Sequence, residues 1–286
     1  MASLKAIRKR ISSVKNTQQI TKAMKMVAAS KLRRAQEAAV AARPYADKLE
    51  IMVEHLVSRI EPDSHPLMAT PGTENRTLLV IVAGDRGLCG GYNANLLRRA
   101  EQFLATRTGE VRLVLIGRKG SEYFRRRHRD PGGYLPVPAA DVAPGVARQV
   151  AARIAREFIS EEIDNAHVLY SAFRSALSQV PTVEKLLPLD RNVEEAEAHG
   201  VDYLFEPGPA EIVGTLLPRL LEVRILHALL EAGASEQGAR MAAMDSATRN
   251  ASEMIERLTL EMNRTRQAAI TKELMEIISG AEALKG

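Results

Sequence analysis

Tryptophan is absent from this 286-residue chain, and aromatics make up only 4% of it. A large all-β core draws heavily on aromatic side chains, so the shortage argues against one. Cysteine occurs once, at Cys89. That excludes an internal disulfide and fits a reducing compartment. No run approaches the roughly 18 uncharged apolar residues that a membrane-spanning helix needs. Acids are missing from one region in particular: residues 1 to 34 hold ten Lys and Arg and no Asp or Glu. Glycine and proline are missing there too, and nothing interrupts a helix before Pro44.

What is present in abundance is helical periodicity at both ends. From Met241 the positions Met241, Met244, Thr248, Ala251, Ile255, Leu258, Met262, Thr265 and Ala269 recur at steps of three and four. This is the heptad pattern of a coiled-coil seam. The opposite face carries both charges, with Glu253 four residues before Arg257. The spacing predicts a helix from about Pro209 to Leu284, with Gly214, Pro218 and Gly233 as places for a bend. At ~1.5 Å per residue it reaches on the order of 110 Å, longer than a globular core needs. Its seam requires a partner. Leu4, Ile7, Ile11, Val14, Ile20, Met24, Val27, Leu32 and Ala35 supply one on a helix over residues 3 to 58, bent or bounded at Pro44. Two terminal helices entering and leaving one middle domain meet most simply by running antiparallel.

The uncompensated charge of Lys5, Arg8, Lys9, Arg10, Lys15, Lys22, Lys25, Lys31, Arg33 and Arg34 forms a positive sleeve. It suits an acidic protein partner, nucleic acid or an anionic lipid surface, or it is a solvated helix face. Nucleic acid is disfavoured by the lack of interleaved aromatics. A basic amphipathic start also resembles a transit peptide, but this helix is needed to cover the C-terminal seam. The run Arg125 to Arg129 is short and reads as a solvated helix end.

Between the helices, Ser58 to Arg76 is rich in proline and reads as a linker. Thr77 to Ala83, Val111 to Ile116 and Ala166 to Tyr170 are apolar runs suited to strands buried on both faces. Helical stretches near 93 to 106, 117 to 127 and 146 to 162 alternate with them, which argues for a Rossmann-like parallel α/β domain. Thr182 to Pro188 and Val201 to Phe205 are candidate edge strands, and residues 131 to 145 a loop. The expected domains are therefore 1–58, 77–206 and 209–286.

The first strand runs into Gly84-Asp-Arg-Gly-Leu-Cys-Gly-Gly-Tyr-Asn93. A glycine-rich turn there is a common phosphate site, but the spacing fits neither phosphate-binding glycine motif. A tight turn explains the glycines as well. Asp85 and Arg86 have no matching base, Cys89 has no local His, and the six histidines show no metal-ligand spacing. No catalytic, cofactor-binding or metal residue is expected.

Four stretches nevertheless carry a resemblance. They are Ile7 to Leu32, Gly84 to Asn93, Ala239-Arg-Met-Ala-Ala-Met-Asp-Ser-Ala-Thr-Arg-Asn-Ala251 and Ala269-Ile-Thr-Lys-Glu-Leu-Met-Glu-Ile-Ile-Ser-Gly-Ala281. Together, in this order, they resemble the γ subunits of bacterial F-type ATP synthases over the whole chain. The loop from Asp130 to Gly145 matches no pattern of that family, and the cysteine-bearing insert of the chloroplast members is missing. The resemblance implies a non-catalytic rotor shaft without cofactor, coupling proton-driven c-ring rotation to ATP synthesis or hydrolysis at the β subunits. It implies a hetero-oligomer with the α, β and ε subunits and the c-ring, peripheral to the cytoplasmic face of the bacterial membrane, and no nucleic acid. By the same resemblance Met24, beside Lys9, Lys22 and Lys25, faces an acidic loop of β. Arg240, Gln267, Thr271 and Glu273 touch α, β or the N-terminal helix, and Tyr203, Phe205 and Glu206 meet the c-ring and ε. From the residues alone, Met24 is an ordinary seam position, Tyr203 and Phe205 an edge strand, and the others surface groups. The alternative is a basic coiled-coil protein that binds nucleic acid or a membrane surface.

Overall fold

The structure, a computed structural model, describes residues 4–58, 60, 65–69, 72, 75–127, 133–189 and 208–283. In chain order the elements are α1 (Leu4–Ser58), a short 3-10 turn (Pro66–Met68), β1 (Arg76–Val82), α2 (Tyr92–Ala105) and β2 (Glu110–Ile116). Then come α3 (Arg118–Arg125), α4 (Ala143–Ile159), β3 (Asn165–Ser175), β4 (Ser178–Leu187) and α5 (Pro209–Ala283). They fall into two compact units. One joins the residues up to Val27 with those from Met241, and the other spans Ala28–Arg240.

The second unit is built on a four-stranded sheet in the order β2-β1-β3-β4. β1 pairs in parallel with β2 and with β3, while β4 returns antiparallel beside β3. The continuous apolar run of β1 has a plain cause. Leu78, Val80 and Val82 face a core shared with α4, the end of α1 and the first part of α5. Leu79 and Ile81 face the other side, against Leu96, Leu97, Ala100, Phe103 and Leu104 of α2 and Phe124 of α3. Pro181 lies in β4, the edge strand, where a missing N–H is tolerated. β3 and β4 extend past the expected strands into a long hairpin. The expected edge strand at Val201 to Phe205 lies outside the described residues.

Two details depart from the sequence reading. In the proline-rich segment after α1, His65 caps the 3-10 turn by accepting from the Leu67 N–H at 3.2 Å, and Leu67 and Met68 are buried in the core. Each such burial stabilises by about 1.5–3 kcal/mol. Helix α1 also continues through Pro44, which sits on an exposed face. At the start of the sheet, buried Asp164 accepts from the Asn75 and Arg76 N–H groups, both at 2.9 Å, and from the Arg76 guanidinium. That ties the entry of β1 to the entry of β3.

The first unit is a coiled coil of α1 up to Val27 and α5 from Met241. Every α5 seam position named above is buried or half-buried. On α1 the seam follows the expected path as far as Val14 and departs from it beyond. It passes through Leu4, Ile7, Ile11, Val14, Gln18, Thr21 and Lys25, all buried or half-buried. Ile20 and Val27 are 60% and 56% exposed. The steps of three and four hold strictly along this path, so supercoil geometry, not side-chain polarity, selects the seam.

Candidate functional site

The polar members of the α1 seam each meet a polar partner on α5. Gln18 donates to the Ser252 hydroxyl at 2.7 Å, Thr248 to the Thr21 hydroxyl at 2.8 Å, and Lys25 pairs with Asp245 at 2.5 Å. The Lys25 hydrogen bond holds the Asp245 carboxyl below its usual range, against a weaker opposing effect of burial. These three pairs fix one antiparallel register. Extended to the start of α1, it places Leu4 opposite about residue 266, three positions beyond the 263 that the helix lengths alone suggest.

Past that point α5 has no partner among the described residues of its unit. Ile270, Leu274, Met275, Ile277 and Ile278 are all exposed there, between 47% and 71%. Gln267, Thr271 and Glu273 share this stretch and are exposed, and the Thr271 hydroxyl donates to the Gln267 carbonyl at 3.0 Å. On α1, Lys9 and Lys22 are exposed on the surface of the coil, whereas Lys25 is half-buried by its ion pair. Met24 is half-buried beside the seam. Tyr203, Phe205 and Glu206 lie outside the described residues.

The glycine-rich turn forms a second candidate site, within the α/β unit. The Gly84 N–H donates to Asn93 Oδ1 at 2.9 Å, and both oxygens of Asp85 are taken by backbone amides, those of Arg118 and Val137. Asp85 therefore caps α3 and braces the segment before α4. Leu88 and Gly90 turn the chain at φ 62° and 56°. Burial pushes the Cys89 thiol up, with the Glu236 carboxylate adding to the effect, so it is not poised as a thiolate. The Tyr92 hydroxyl, buried, reaches the Ala232 carbonyl of α5 at 3.3 Å.

Arg240 is also at this turn. Its side chain is 11% exposed, pairs with Glu236 at 2.5 Å and reaches the Gly87 carbonyl at 3.5 Å. Glu236 is the residue that sequence reasoning missed. A Glu on a helix reads as solvated, and the one available signal was its (i, i+4) spacing to Arg240. A Cβ on Gly84 would stand 2.9 Å from Glu236 Oε1, which explains a glycine at that position.

Among the described residues no group of three His, Cys, Asp or Glu is placed to hold a metal ion. A groove of about 560 Å³ lies beside β2, lined in part by Tyr134, Gln149, Arg153 and Arg156. Arg153 is already bound to Glu157 at 2.7 Å, and the lining offers no nucleophile with a base.

A family model described as ATP synthase matches residues 3–284. The ATP synthase gamma chain of Geobacter sp. (strain M21) is 51% identical over 291 residues, with 100% of both chains covered. That of Pelotomaculum thermopropionicum is 45% identical over 285 residues, again with 100% of each covered. Among solved structures, the chain is similar to one in the Tetrahymena thermophila mitochondrial ATP synthase central stalk and c-ring, with a TM-score of 0.61 and 28% identity. That match covers 80% of this chain and 99% of the other. A chain from the Euglena gracilis mitochondrial ATP synthase, OSCP/F1/c-ring, shares the fold with a TM-score of 0.67 at 20% identity, covering 98% and 94%.

Proposed function

Because the chain belongs to the family of ATP synthase gamma chains, we propose that it works as the central rotor shaft, coupling proton-driven rotation of a c-ring to ATP synthesis or hydrolysis at β subunits. The observation that carries this reading is that α5 outruns α1 in the coil and keeps an apolar face where no partner remains. Exposed apolar residues at that density call for another surface. A ring of α and β subunits around the helix end supplies one. Gln267, Thr271 and Glu273 then contact α and β, and Lys9 and Lys22 beside Met24 face an acidic loop of β. Tyr203, Phe205 and Glu206 meet the c-ring and ε.

A shaft does its work without bond chemistry. A coil whose faces differ around its axis offers each β subunit a different contact at each angle, and only such differential contacts can shift affinity for ADP, phosphate and ATP. The chain is read as a non-catalytic subunit, since the polar groups of its glycine turn are tied up in backbone and helix contacts. It is read as peripheral, on the cytoplasmic face of a bacterial membrane. No described helix is long and apolar enough to cross one.

Co-purification tests this directly. The tagged chain expressed in its host is expected to bring α, β and ε with it in fixed ratio. A chain that elutes alone, or that binds DNA or anionic vesicles at physiological salt in place of those subunits, overturns the reading.

A further inference from the structure

β3 outruns the strand beside it. β1 pairs with it only from Asn165 to Leu169, and β3 continues to Ser175 in the hairpin with β4. Past Leu169 no strand among the described residues lies on its β1 side, so backbone polar groups there need other partners. Helix α5 takes the place of the missing strand. The Phe173 N–H donates to Glu231 Oε2 at 2.7 Å, and the Tyr170 ring stands edge-on to His227, with ring centroids 6.3 Å apart. At Gly238 a Cβ would lie 3.0 Å from the Phe173 ring and 3.3 Å from the Ala176 Cα, so the turn of the hairpin comes close to the helix backbone. His227, Glu231 and Gly238 follow one another at steps of four and seven residues, which puts them on one face of α5.

Neither Glu231 nor Gly238 is there for the sake of the helix alone. Glycine weakens a helix interior, and a carboxylate only 12% exposed gives up much of its hydration. Together they allow a close and directed approach of the hairpin. Helix α5 is also tied to α1, by Arg224 and Glu50 at 2.6 Å, but there both partners are long side chains with several rotatable bonds. A backbone amide is fixed in its strand, and a charge-assisted hydrogen bond to it has a set length and direction. Apolar burial, by contrast, is non-directional. We infer that Glu231 is a positioning residue for the rotor: by holding the Phe173 N–H it fixes the β3–β4 hairpin to α5, so that the hairpin turns with the shaft instead of pivoting on it. The inference rests on the rotor reading above.

Amide exchange at Phe173 in the free full-length chain reads the hydrogen bond itself. E231L keeps the bulk of the side chain without an acceptor and is expected to speed that exchange about tenfold or more. E231Q, whose amide oxygen still accepts, should stay close to wild type. The second measurement uses the complex assembled with α and β, immobilised through the ring, with a bead attached at L177C on the hairpin turn, a position 87% exposed. The native Cys89 is buried and leaves the label to that site. The angular spread of the bead during a pause, which narrows as the attachment stiffens, should be wider in E231L and return to the wild-type width in E231Q. Hydrolysis without load should be unchanged in both. If E231L does not assemble, E231D, whose carboxylate falls one methylene short of the strand, takes its place with the same expectation. Wild-type exchange at Phe173 or a wild-type spread in the variant without the contact overturns the inference, as does an E231Q complex as loose as E231L. Failure of the wild-type chain to assemble with α and β counts against the rotor reading instead, and the exchange measurement still judges the hydrogen bond.

Discussion

Thr21 and Thr248 meet hydroxyl to hydroxyl across the coiled coil, 2.8 Å apart. Thr21 donates to the Gln18 carbonyl at 3.0 Å, which leaves its oxygen free to accept, and the one Thr248 proton is shared between Thr21 and the Met244 carbonyl at 2.7 Å. With Gln18–Ser252 and Lys25–Asp245 on either side, the seam holds three successive polar contacts. Polar groups in a coiled-coil seam lower stability and specify register.

Removing one hydroxyl and removing both should therefore have opposite effects. T248V alone leaves the Thr21 oxygen without its donor and is expected to destabilise the coil by about 1 kcal/mol. T21V/T248V replaces both partners by apolar groups of similar shape and should be neutral or stabilising. Denaturant unfolding of the two single variants and the double variant closes the cycle. A double variant less stable than either single would contradict this account.

The unpaired end of α5 should be marginal in the free chain. A single helix end without packing frays in water. Amides of residues 270 to 280 are expected to exchange fast in the isolated chain and slowly within the assembled ring. Strong protection in the free chain would count against a ring of α and β subunits as the missing partner of this stretch.

The glycines of the α/β unit should differ sharply in tolerance. Of the glycines in the turn after β1, Gly90 is the one held in the left-handed region, at φ 56°. Gly87 has open space around the place of a Cβ. Gly117 is tighter still: at φ 98°, a Cβ would lie 2.0 Å from the Ala83 carbonyl oxygen. G87A should leave the melting temperature unchanged, G90V should destabilise by about 1–2 kcal/mol, and G117A by more than that. Thermal melts rank the three, and a sensitive G87A would be the adverse result.

The Lys25–Asp245 pair gives a pH signature. The Asp245 carboxyl is held below its ordinary 3.8 by the Lys25 hydrogen bond. A depressed folded value means that the contribution is present above the unfolded value and disappears as pH falls through the folded one. The stability gap between wild type and K25M should thus be full at neutral pH and shrink below about pH 4. A gap that is constant down to roughly pH 2 would mean that the ion pair is not its source.

Lys25 should also differ from its exposed neighbours in function. K9Q/K22Q removes charge that faces outward, so coupled turnover should drop at low salt and the deficit should fade at high salt, where exposed charges are screened. K25Q should act mainly through coil stability and show little salt dependence of that kind. Unchanged turnover for K9Q/K22Q at low ionic strength would remove these lysines from the contact with β.

Much of this architecture was legible because it follows local rules. The β1 run is apolar throughout since both of its faces are covered, and the α5 seam obeys the heptad. The expected α1 seam holds as far as Val14 and leaves the true one beyond it, where it follows apolarity instead of spacing. Gln18, Thr21 and Lys25 keep the strict alternation, and each is tolerated in the seam by a partner more than 200 residues away. Glu236 was illegible for the same reason. Its burial depends on Gly84, a distant turn, and on Arg240 folding back to that turn.

That distance along the chain also imposes an order of events. Gln18 and Ser252 are separated by 234 residues. At ribosomal rates of about 5–20 residues per second, the first strand of the coil waits on the order of 10 to 50 s for the second. Throughout that interval Ile7, Ile11 and Val14 are displayed on a lone amphipathic helix while the α/β domain folds behind it. The same helix carries ten Lys and Arg and no acid over residues 1 to 34, and mutual repulsion disfavours pairing between neighbouring nascent helices. The uncompensated charge therefore opposes pairing of this seam between chains for as long as α5 has not yet emerged.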